Sequence, residues 1–369
     1  MNRVTAGEIA ELAGVSQSTV SRALRGSPLV NSKTRERVLR IANEKNYKVN
    51  TGASRLRSRQ SRTLALLVHD DSEMGSDINP FFLSMIAAIT KAATEKGYDI
   101  LLSFQQFSEN WIADYENSNK AEGVIMLGYG GYTDYIRKIG MLDNAHCVTW
   151  GPVIDGQPGH FVGCDNVHGG YIATRHLLDL GHRKIAFIGD VSDDCPEFQA
   201  RYSGYRKAHE ELGLDPTPQL QATANPSELG GYEAAERLID RAVGHTAAFC
   251  ATDLNAIGAI RAFRNRNVHV PADISVVGFD DLVSMAYATP ALTTVRQDTA
   301  AAGHVLVETL LDLVRGNDVV SRLLPPELIV RQSSRQVRAE AMAKSRAGPR
   351  LTDAGRLDNA APKARFNSR

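Results

Sequence analysis

The chain of 369 residues has few of the features on which secreted, membrane-spanning or metal-dependent proteins rely. Its four cysteines, Cys147, Cys164, Cys195 and Cys250, are widely spaced and form no CxxC pair. This spacing predicts reduced, mostly buried thiols and disfavours a disulfide framework or a zinc site. No apolar run approaches the roughly 18 residues of a membrane-spanning helix, and the N-terminus leads into a helical pattern instead of a signal peptide. We therefore expect a cytoplasmic protein with no membrane partner.

Catalytic signatures are also missing from the sequence. It contains no GxSxG, HExxH, Walker or GxGxxG motif, and its ten histidines are scattered. The glycine-rich segment 128–131 lacks the spacing of a phosphate-binding loop and indicates a flexible turn. Adjacent acidic pairs such as Asp280-Asp281 have diverging side chains, which makes them poor acid–base dyads. The sequence predicts no enzymatic activity, no catalytic residues, no cofactor and no metal.

The net charge of zero conceals an uneven distribution. Residues 1–62 contain thirteen basic and four acidic residues, a net charge of +9, and residues 336–369 carry a net charge of +5. The intervening segment, 63–335, carries a net charge of −14. A basic head on an acidic body is typical of a polyanion-binding module joined to a sensor domain.

Two short helices with a tight connection are predicted near the N-terminus. Thr5 and Glu8 have the spacing of a capping box at the start of the first helix, and Ser16 is placed to cap the second. Gly14 supplies the turn between them. In the second helix the apolar positions are spaced for burial, whereas polar side chains and Arg22 lie on the opposite face. This pattern predicts a helix-turn-helix, a motif that presents its second helix to DNA.

A third helix, capped by Asn31 or Ser32 and extending to about Asn46, is predicted to complete a three-helix headpiece at residues 1–49. The next segment, 50–62, has four arginines and one large apolar residue. Such a segment cannot bury an apolar face by itself, so we interpret it as a linker or hinge.

After the linker, short β-rich runs alternate with amphipathic helical stretches. Strand–helix alternation predicts an α/β fold of parallel sheets with helices on both faces. We predict an α/β body at 63–335 with two doubly wound subdomains, about 63–164 and 165–293, and a final segment, 294–335, that crosses back. The predicted strands are 63–68, 99–104, 123–127, 146–150, 161–164, 184–189, 247–251 and 274–278. The predicted helices are 81–96, 168–180, 196–212, 229–243 and 253–265.

The basic tail, 336–369, is rich in Ala, Arg, Gly, Pro and Ser, and its few apolar residues keep no heptad spacing. This composition predicts disorder and gives no support to a coiled coil.

Several short motifs follow one another between Val4 and Leu56, with a spacing that matches a known family without a gap. They are Val4-Thr5, Gly14-Val15-Ser16, Thr19-Val20-Ser21-Arg22, Leu24 with Gly26, Thr34-Arg35-Glu36-Arg37-Val38, and Asn46-Tyr47 with Asn50. Together they closely resemble the DNA-binding headpiece of the lactose-repressor/galactose-repressor (LacI) family. The body adds Asn79-Pro80-Phe81-Phe82, Cys164-Asp165-Asn166, Leu180-Gly181-His182-Arg183-Lys184, Asp273-Ile274-Ser275-Val276-Val277-Gly278-Phe279-Asp280-Asp281 and Leu292-Thr293-Thr294-Val295. These resemble the family's sensor region, which has the fold of periplasmic sugar-binding proteins.

The resemblance implies a homodimeric, sequence-specific DNA-binding regulator that acts on a pseudo-palindromic operator. It further implies a repressor of carbohydrate-utilisation genes, controlled by a small-molecule effector such as a sugar. The alternative is a soluble sugar- or nucleoside-binding protein, or an enzyme of this sheet type, with an incidental DNA-binding fusion.

The resemblance also implies which residues contact DNA. In the family, the helix at 17–24 enters the major groove, and a leucine in the position of Leu56 inserts into the minor groove from a hinge helix. Gln and Arg side chains can form paired hydrogen bonds to adenine and guanine edges. The predicted DNA contacts are Thr5, Ser16, Gln17, Ser18, Thr19, Ser21, Arg22, Asn31, Asn50, Ala53, Leu56 and Arg57.

In open α/β sheets, ligands bind beyond the carboxyl ends of the strands, and aromatic faces beside polar groups suit a sugar ring. By resemblance Asp280 is the strongest candidate contact, with a helix-capping role as the alternative. Arg201 either binds the ligand or pairs with a carboxylate across the cleft, and Trp150 either stacks on the ligand or packs between domains. The predicted effector-binding residues are Phe81, Phe82, Trp150, Glu197, Gln199, Arg201, Thr252, Asp253 and Asp280.

Overall fold

A computed structural model describes residues 4–47, 61–69, 78–104, 114–141 and 145–337. The described residues form an N-terminal group of three helices and an α/β body of two sheets. The predicted fold class is confirmed. The predicted hinge residues up to 60 and the tail from 338 onward lie outside the described residues. None of the helices in these ranges is long and apolar enough to cross a membrane.

The headpiece consists of α1 (Ala6–Ala13), α2 (Gln17–Leu24) and α3 (Ser32–Glu44). The predicted caps form in each helix: a reciprocal capping box joins Thr5 and Glu8, and Ser16 and Asn31 accept hydrogen bonds from backbone amides three residues later. Gly14 adopts the left-handed conformation, with φ of 61°, which lets α1 end in a tight turn. A small core joins the three helices, formed by Ile9, Ala10, Ala13, Val20, Ala23, Val30 and Val38.

The first subdomain is a six-stranded sheet in the order β11-β5-β4-β3-β1-β2, and all of its strand pairs are parallel. Its strands are β1 (Thr63–Val68), β2 (Asp99–Phe104), β3 (Val124–Leu127), β4 (Cys147–Trp150), β5 (His160–Cys164) and β11 (Arg322–Leu324). Its helices are α4 (Pro80–Glu95), α5 (Tyr132–Ile139) and α10 (Thr299–Val314). The parallel strands direct their carboxyl ends to one edge, which becomes one wall of a cleft.

The second subdomain repeats this plan in the order β12-β10-β9-β8-β6-β7. Its strands are β6 (Ile185–Ile188), β7 (Gln221–Ala222), β8 (Ala247–Cys250), β9 (Ser275–Asp280), β10 (Thr293–Arg296) and β12 (Glu327–Ile329). Its helices are α6 (Asn166–Asp179), α7 (Pro196–Glu210), α8 (Glu228–Asp240) and α9 (Asp253–Asn265). The strands β6, β8 and β9 are entirely buried, as expected for a sheet covered on both faces.

The predicted crossing segment, 294–335, begins too early. The strand β10 pairs in parallel with β9, so Thr294 to Arg296 belong to the second sheet. The chain then enters the first subdomain through α10 and β11, and it returns as β12, which pairs antiparallel with β10. The strand β10 has the sequence Thr-Thr-Val-Arg, so it lacks the apolar run by which the other four-residue strands were recognised.

The helices α6 and α7 approach each other very closely. A Cβ atom on Gly204 would lie well inside van der Waals contact with the carbonyl oxygen of Val167, and one on Gly170 would overlap the carbonyl oxygen of Arg201. The absence of both side chains lets the two backbones touch. This contact fixes the position of α7, and with it the position of Arg201 above the second sheet.

We predict that Gly204→Ala destabilises the protein by about 1–3 kcal/mol, because the added methyl group forces α6 and α7 apart. In an unobstructed helix interior the same change would stabilise by roughly 0.5–1 kcal/mol, so the sign of the effect is diagnostic. The free energy of unfolding, measured in urea, tests this. Ser203→Ala, on the exposed side of α7, is the control and should change it by less than about 0.5 kcal/mol. A Gly204→Ala protein as stable as wild type would contradict the close approach.

Candidate functional site

A cavity of about 710 Å³ lies between the two subdomains. It opens at the carboxyl ends of the parallel strands, because its lining includes residues at or just after the ends of β1, β3, β4, β5, β6, β8 and β9. Its volume lies within the range of roughly 300–1,000 Å³ typical of small-molecule sites. Seven of the predicted effector-binding residues line it, namely Phe81, Phe82, Trp150, Glu197, Arg201, Thr252 and Asp280.

Two predicted effector contacts are absent from the cavity lining. The Gln199 amide donates hydrogen bonds to the Val191 carbonyl oxygen and the Asp193 carboxylate, so it stabilises the loop before α7. The Asp253 carboxylate is fully buried below the cavity, and it accepts hydrogen bonds from the Leu282 amide at 2.8 Å and the Thr294 hydroxyl at 2.6 Å. Both residues lie beside true lining positions in sequence, but the Gln199 side chain turns to the loop before α7 and the Asp253 side chain points into the protein.

The Arg201 guanidinium is buried in the second subdomain. Its Nη1 atom lies 3.9 Å from Oδ1 of Asp280, and its Nε atom donates a hydrogen bond of 2.8 Å to Asn166. Its Cζ atom lies 3.7 Å from the ring centroid of Phe279 and 5.1 Å from that of Phe198. The carboxylate partner of Arg201 therefore belongs to the same subdomain, and the predicted pairing across the cleft does not form.

Asp280 ends β9 with its carboxylate facing the cavity. Oδ1 accepts a hydrogen bond of 2.7 Å from the Gln297 amide, and the helix-capping alternative does not occur because Leu282 is the N-cap of the following short helix. Burial raises the pKa of Asp280 to about 6, and the nearby Arg201 partly offsets this rise. The backbone of Asp280 has a φ of 116° and that of Asp281 a φ of 55°. Such conformations cost about 1–3 kcal/mol per residue, so the surroundings must hold this turn in place.

The first subdomain contributes an aromatic wall. The Phe81 ring centroid lies 6.0 Å from that of Trp150 and 5.8 Å from that of Phe82. Phe81 and Trp150 are almost completely buried, whereas Phe82 is partly accessible. On the opposite side, the Thr252 hydroxyl accepts a hydrogen bond from the Asn255 amide, so this residue caps α9 as well as lining the cavity.

One contact at the cavity joins the two subdomains directly. The Tyr129 hydroxyl, just after β3, donates a short hydrogen bond to the Glu197 carboxylate in the first turn of α7. Burial raises the pKa of both side chains. The Glu197 carboxylate raises the pKa of Tyr129 further, whereas the hydrogen bond donated by Tyr129 partly offsets the rise in the pKa of Glu197. Tyr129 was missed in the sequence because its glycine-rich surroundings indicated a flexible turn. Its position shortly after the predicted strand 123–127 was the available signal. Gln297, which also lines the cavity, gave no such signal because β10 was not predicted.

Five of the predicted DNA contacts lie on α2. Gln17, Ser18 and Arg22 are exposed on α2, opposite the buried Val20 and Ala23. The remaining predicted contacts on this helix are Thr19 and Ser21, both partly exposed.

Three further predicted DNA contacts, Thr5, Ser16 and Asn31, are the N-caps of the three helices. The N-terminus of a helix is a favourable position for a phosphate group. The predicted hinge contacts, which are Asn50, Ala53, Leu56 and Arg57, lie outside the described residues.

Comparison with known proteins gives the same two-part organisation. Residues 5–50 match the family described as bacterial regulatory proteins, lacI family, and residues 174–334 match the periplasmic binding protein-like domain. The HTH-type transcriptional regulator CelR of Thermobifida fusca is 32% identical over 339 residues, covering 90% of this chain and 98% of the regulator. The chain belongs to the lacI family of bacterial regulatory proteins.

Other members of the lacI family align over the same extent. The HTH-type transcriptional repressor PurR of Haemophilus influenzae (strain PittEE) is 28% identical over 351 residues, covering 90% of this chain and 99% of the repressor. A solved CelR–cellobiose complex is 30% identical with a TM-score of 0.67, and the lac repressor dimer bound to operator and the anti-inducer ONPF is 27% identical with a TM-score of 0.77. Each alignment covers 90% of this chain and all of the solved chain. As a lacI-family protein, the chain is a DNA-binding transcriptional regulator.

We predict a pH-dependent stability that originates at Asp280. An aspartate titrates near pH 3.9 in an unfolded chain, and in the folded protein the pKa of Asp280 is about 6. The folded state therefore binds this proton more tightly than the unfolded chain does. The resulting contribution to the free energy of unfolding is fully present below about pH 4 and is lost as the pH rises through 6. Relative to Asp280→Asn, wild type should lose roughly 2–3 kcal/mol between pH 4 and 7.

Urea unfolding at several pH values measures this difference. Asp240→Asn, a surface substitution at the end of α8, controls for the loss of a carboxylate and should follow the pH profile of wild type. A stability difference between wild type and Asp280→Asn that stays constant from pH 4 to 7 would contradict the raised pKa.

Proposed function

We propose that the protein is a homodimeric repressor of carbohydrate-utilisation genes whose cleft binds a sugar effector. The observation that carries this proposal is the composition of the cavity, where an aromatic wall faces a buried carboxylate and guanidinium in a chain that also has a DNA-binding headpiece. The relatives that align over 90% of the chain are named a transcriptional regulator and a transcriptional repressor. We accordingly propose regulation without catalysis, in the cytoplasm, where operator DNA is accessible.

The chemistry of the cavity suits a sugar ring. Phe82 offers an apolar face for CH groups of a pyranose or furanose, and the largely buried Phe81 and Trp150 add apolar ring edges beside it. Asp280 offers carboxylate oxygens to ring hydroxyls, and Arg201 adds guanidinium donors. The solved complex of CelR with cellobiose supports a sugar, and the ribose operon repressor of Haemophilus influenzae, 29% identical, supports the same class.

We propose that two chains associate through apolar side chains that are exposed to water in a single chain. β2 forms one edge of the first sheet and exposes Leu101 and Leu102. In the second subdomain, Val283 and Tyr287 are exposed by 77% and 84%. An uncovered edge strand with large apolar side chains favours association. The dimeric lac repressor bound to its operator supports this arrangement.

The proposed mechanism couples the cleft to DNA through the dimer. Two headpieces bind half-sites about one helical turn apart on a pseudo-palindromic operator, with α2 in the major groove. Residues 50–62 are proposed as the hinge between headpiece and body, with Leu56 contacting the minor groove. An effector that binds one arrangement of the two subdomains more tightly than the other shifts the protein towards that arrangement. When the two arrangements also differ in DNA affinity, effector and DNA change each other's affinity by the same coupling free energy.

We predict that the cleft binds a sugar and that Asp280→Asn weakens this binding by about 5- to 150-fold. An unpaired polar group in a closed site costs roughly 1–3 kcal/mol, which corresponds to that range. Cellobiose, glucose, ribose and a nucleoside are first compared by thermal shift, and the strongest binder is then titrated by calorimetry. Asp240→Asn, far from the cavity lining, should bind like wild type. Unchanged affinity in Asp280→Asn would place the effector elsewhere.

We predict that Arg22→Ala relaxes sequence preference at one position of each half-site. The loss of a paired contact to a base edge removes about 1–3 kcal/mol of discrimination. An operator selected from random DNA is varied base by base, and affinities are measured by fluorescence anisotropy. Arg40→Ala on α3, paired with Glu44, should leave the preference intact. If Arg22→Ala weakened binding to all sequences equally, Arg22 would contact phosphate and not a base.

A further inference from the structure

The turn that carries Asp280 is held in an unfavourable backbone conformation. Asp280 and Asp281 both have positive φ, at 116° and 55°, and neither is glycine. They stand where β9 ends at the cavity. Two adjacent residues of this kind persist only where side-chain contacts hold them, so the groups bonded to the turn control where the Asp280 carboxylate points.

The Asp281 side chain points away from the cavity and is bonded by two arginines. Its Oδ2 atom accepts a hydrogen bond of 2.7 Å from Nε of Arg296, and its Oδ1 atom accepts one of 2.6 Å from Nη2 of Arg331. Only 9% of the Asp281 side chain is exposed, so these charge-assisted bonds are shielded from water. Both carboxylate oxygens are therefore fixed.

The two arginines are themselves anchored to neighbouring strands. Arg331, just after β12, also donates a hydrogen bond of 2.8 Å to the Leu292 carbonyl oxygen, and Arg296, at the end of β10, also contacts Glu327 at 3.1 Å. Asp281 thus ties the turn to β10 and to β12, the strand on which the chain returns from the first subdomain.

The opposite side of the turn is held by Asp253. Its carboxylate accepts the Leu282 amide at 2.8 Å, and Leu282 directly follows Asp281. The turn is fixed from two sides by groups outside the cavity lining. Asp280, between these attachments, keeps its carboxylate beside Gln297 and Arg201.

We propose that Asp281, held by Arg296 and Arg331, is the positioning residue for Asp280 and sets effector affinity without touching the effector. The proposal rests on the proposed function, since it takes Asp280 as an effector contact. Asp281→Asn is the informative substitution, because asparagine tolerates positive φ and only the charge and one acceptor are lost. Any effect then arises from the bonds to the two arginines.

The first test needs no effector. Hydrogen exchange of the segment 279–285 in the full-length protein should be at least about tenfold faster in Asp281→Asn than in wild type, because the turn opens more often. Glu236→Gln is the matched control: Glu236 accepts two hydrogen bonds from Arg266 on the surface of α8, away from the cavity. This control should leave exchange of the turn unchanged. Wild-type protection of the turn in Asp281→Asn overturns the proposal.

The second test measures whether Asp281 acts through Asp280. The probe is cellobiose, or the sugar of the panel that binds wild type most tightly. Asp281→Asn should weaken binding at least about fivefold in the wild-type background, and less than about twofold in the Asp280→Asn background, where the positioned group is already altered. An equal loss in both backgrounds shows that Asp281 acts independently of Asp280 and overturns the proposal.

The design separates the two levels of inference. If Asp280→Asn binds the sugar like wild type, the placement of the effector site fails. If Asp280→Asn weakens binding but Asp281→Asn does not, only the positioning role fails. Should Asp281→Asn not fold, Arg296→Met removes one of the two bonds at a side chain that is 42% exposed, and it carries the same expectations in both tests.

Discussion

The guanidinium of Arg201 and the carboxylate of Asp280 are both removed from water, and the structure around them has to replace the hydration that each has lost. At 3.9 Å the two charges attract, but in a protein interior such attraction only roughly balances the cost of desolvation. Additional partners decide the balance. Asn166 and the Ala251 carbonyl oxygen accept from Arg201, aromatic rings flank it, and Gln297 donates to Asp280.

This requirement explains several features that look unrelated in sequence. Arg201 reaches its partners because α6 and α7 are in contact at glycines. The Asp280 side chain reaches the cavity because the backbone of its turn adopts positive φ angles. A guanidinium with partners on several sides cannot move far, so the second subdomain presents a preorganised polar surface to a ligand. Preorganisation raises affinity because less conformational freedom is lost on binding.

Much of the fold follows from the sequence, because apolar periodicity reports burial. The eight predicted strands coincide with observed strands to within two residues, and the five predicted body helices to within three. The strands β7, β11 and β12 escaped prediction because each has only two or three residues, too few to show a period. The strand β10 escaped because Val295 is its one apolar residue.

The lining of the cavity was less predictable than the fold, for a physical reason. The rule that ligands bind at the carboxyl ends of strands correctly brought Trp150, Thr252 and Asp280 to the cavity. Whether a neighbouring side chain points into the cavity or into the protein depends on partners distant in sequence. Asp253 turned inward because Thr294 and the Leu282 amide are there to bind it.

The contact between Tyr129 and Glu197 shapes how a ligand can act on this molecule. Because this hydrogen bond joins the two subdomains, it stabilises their present arrangement. A ligand changes the balance between arrangements only by the difference in its affinity for them. A sugar that contacts both the aromatic wall and Asp280 has that difference, since opening the cleft would separate the two surfaces. A ligand held by Asp280 and Arg201 alone would bind one subdomain equally well in either arrangement, and it would leave DNA affinity unchanged however tightly it bound.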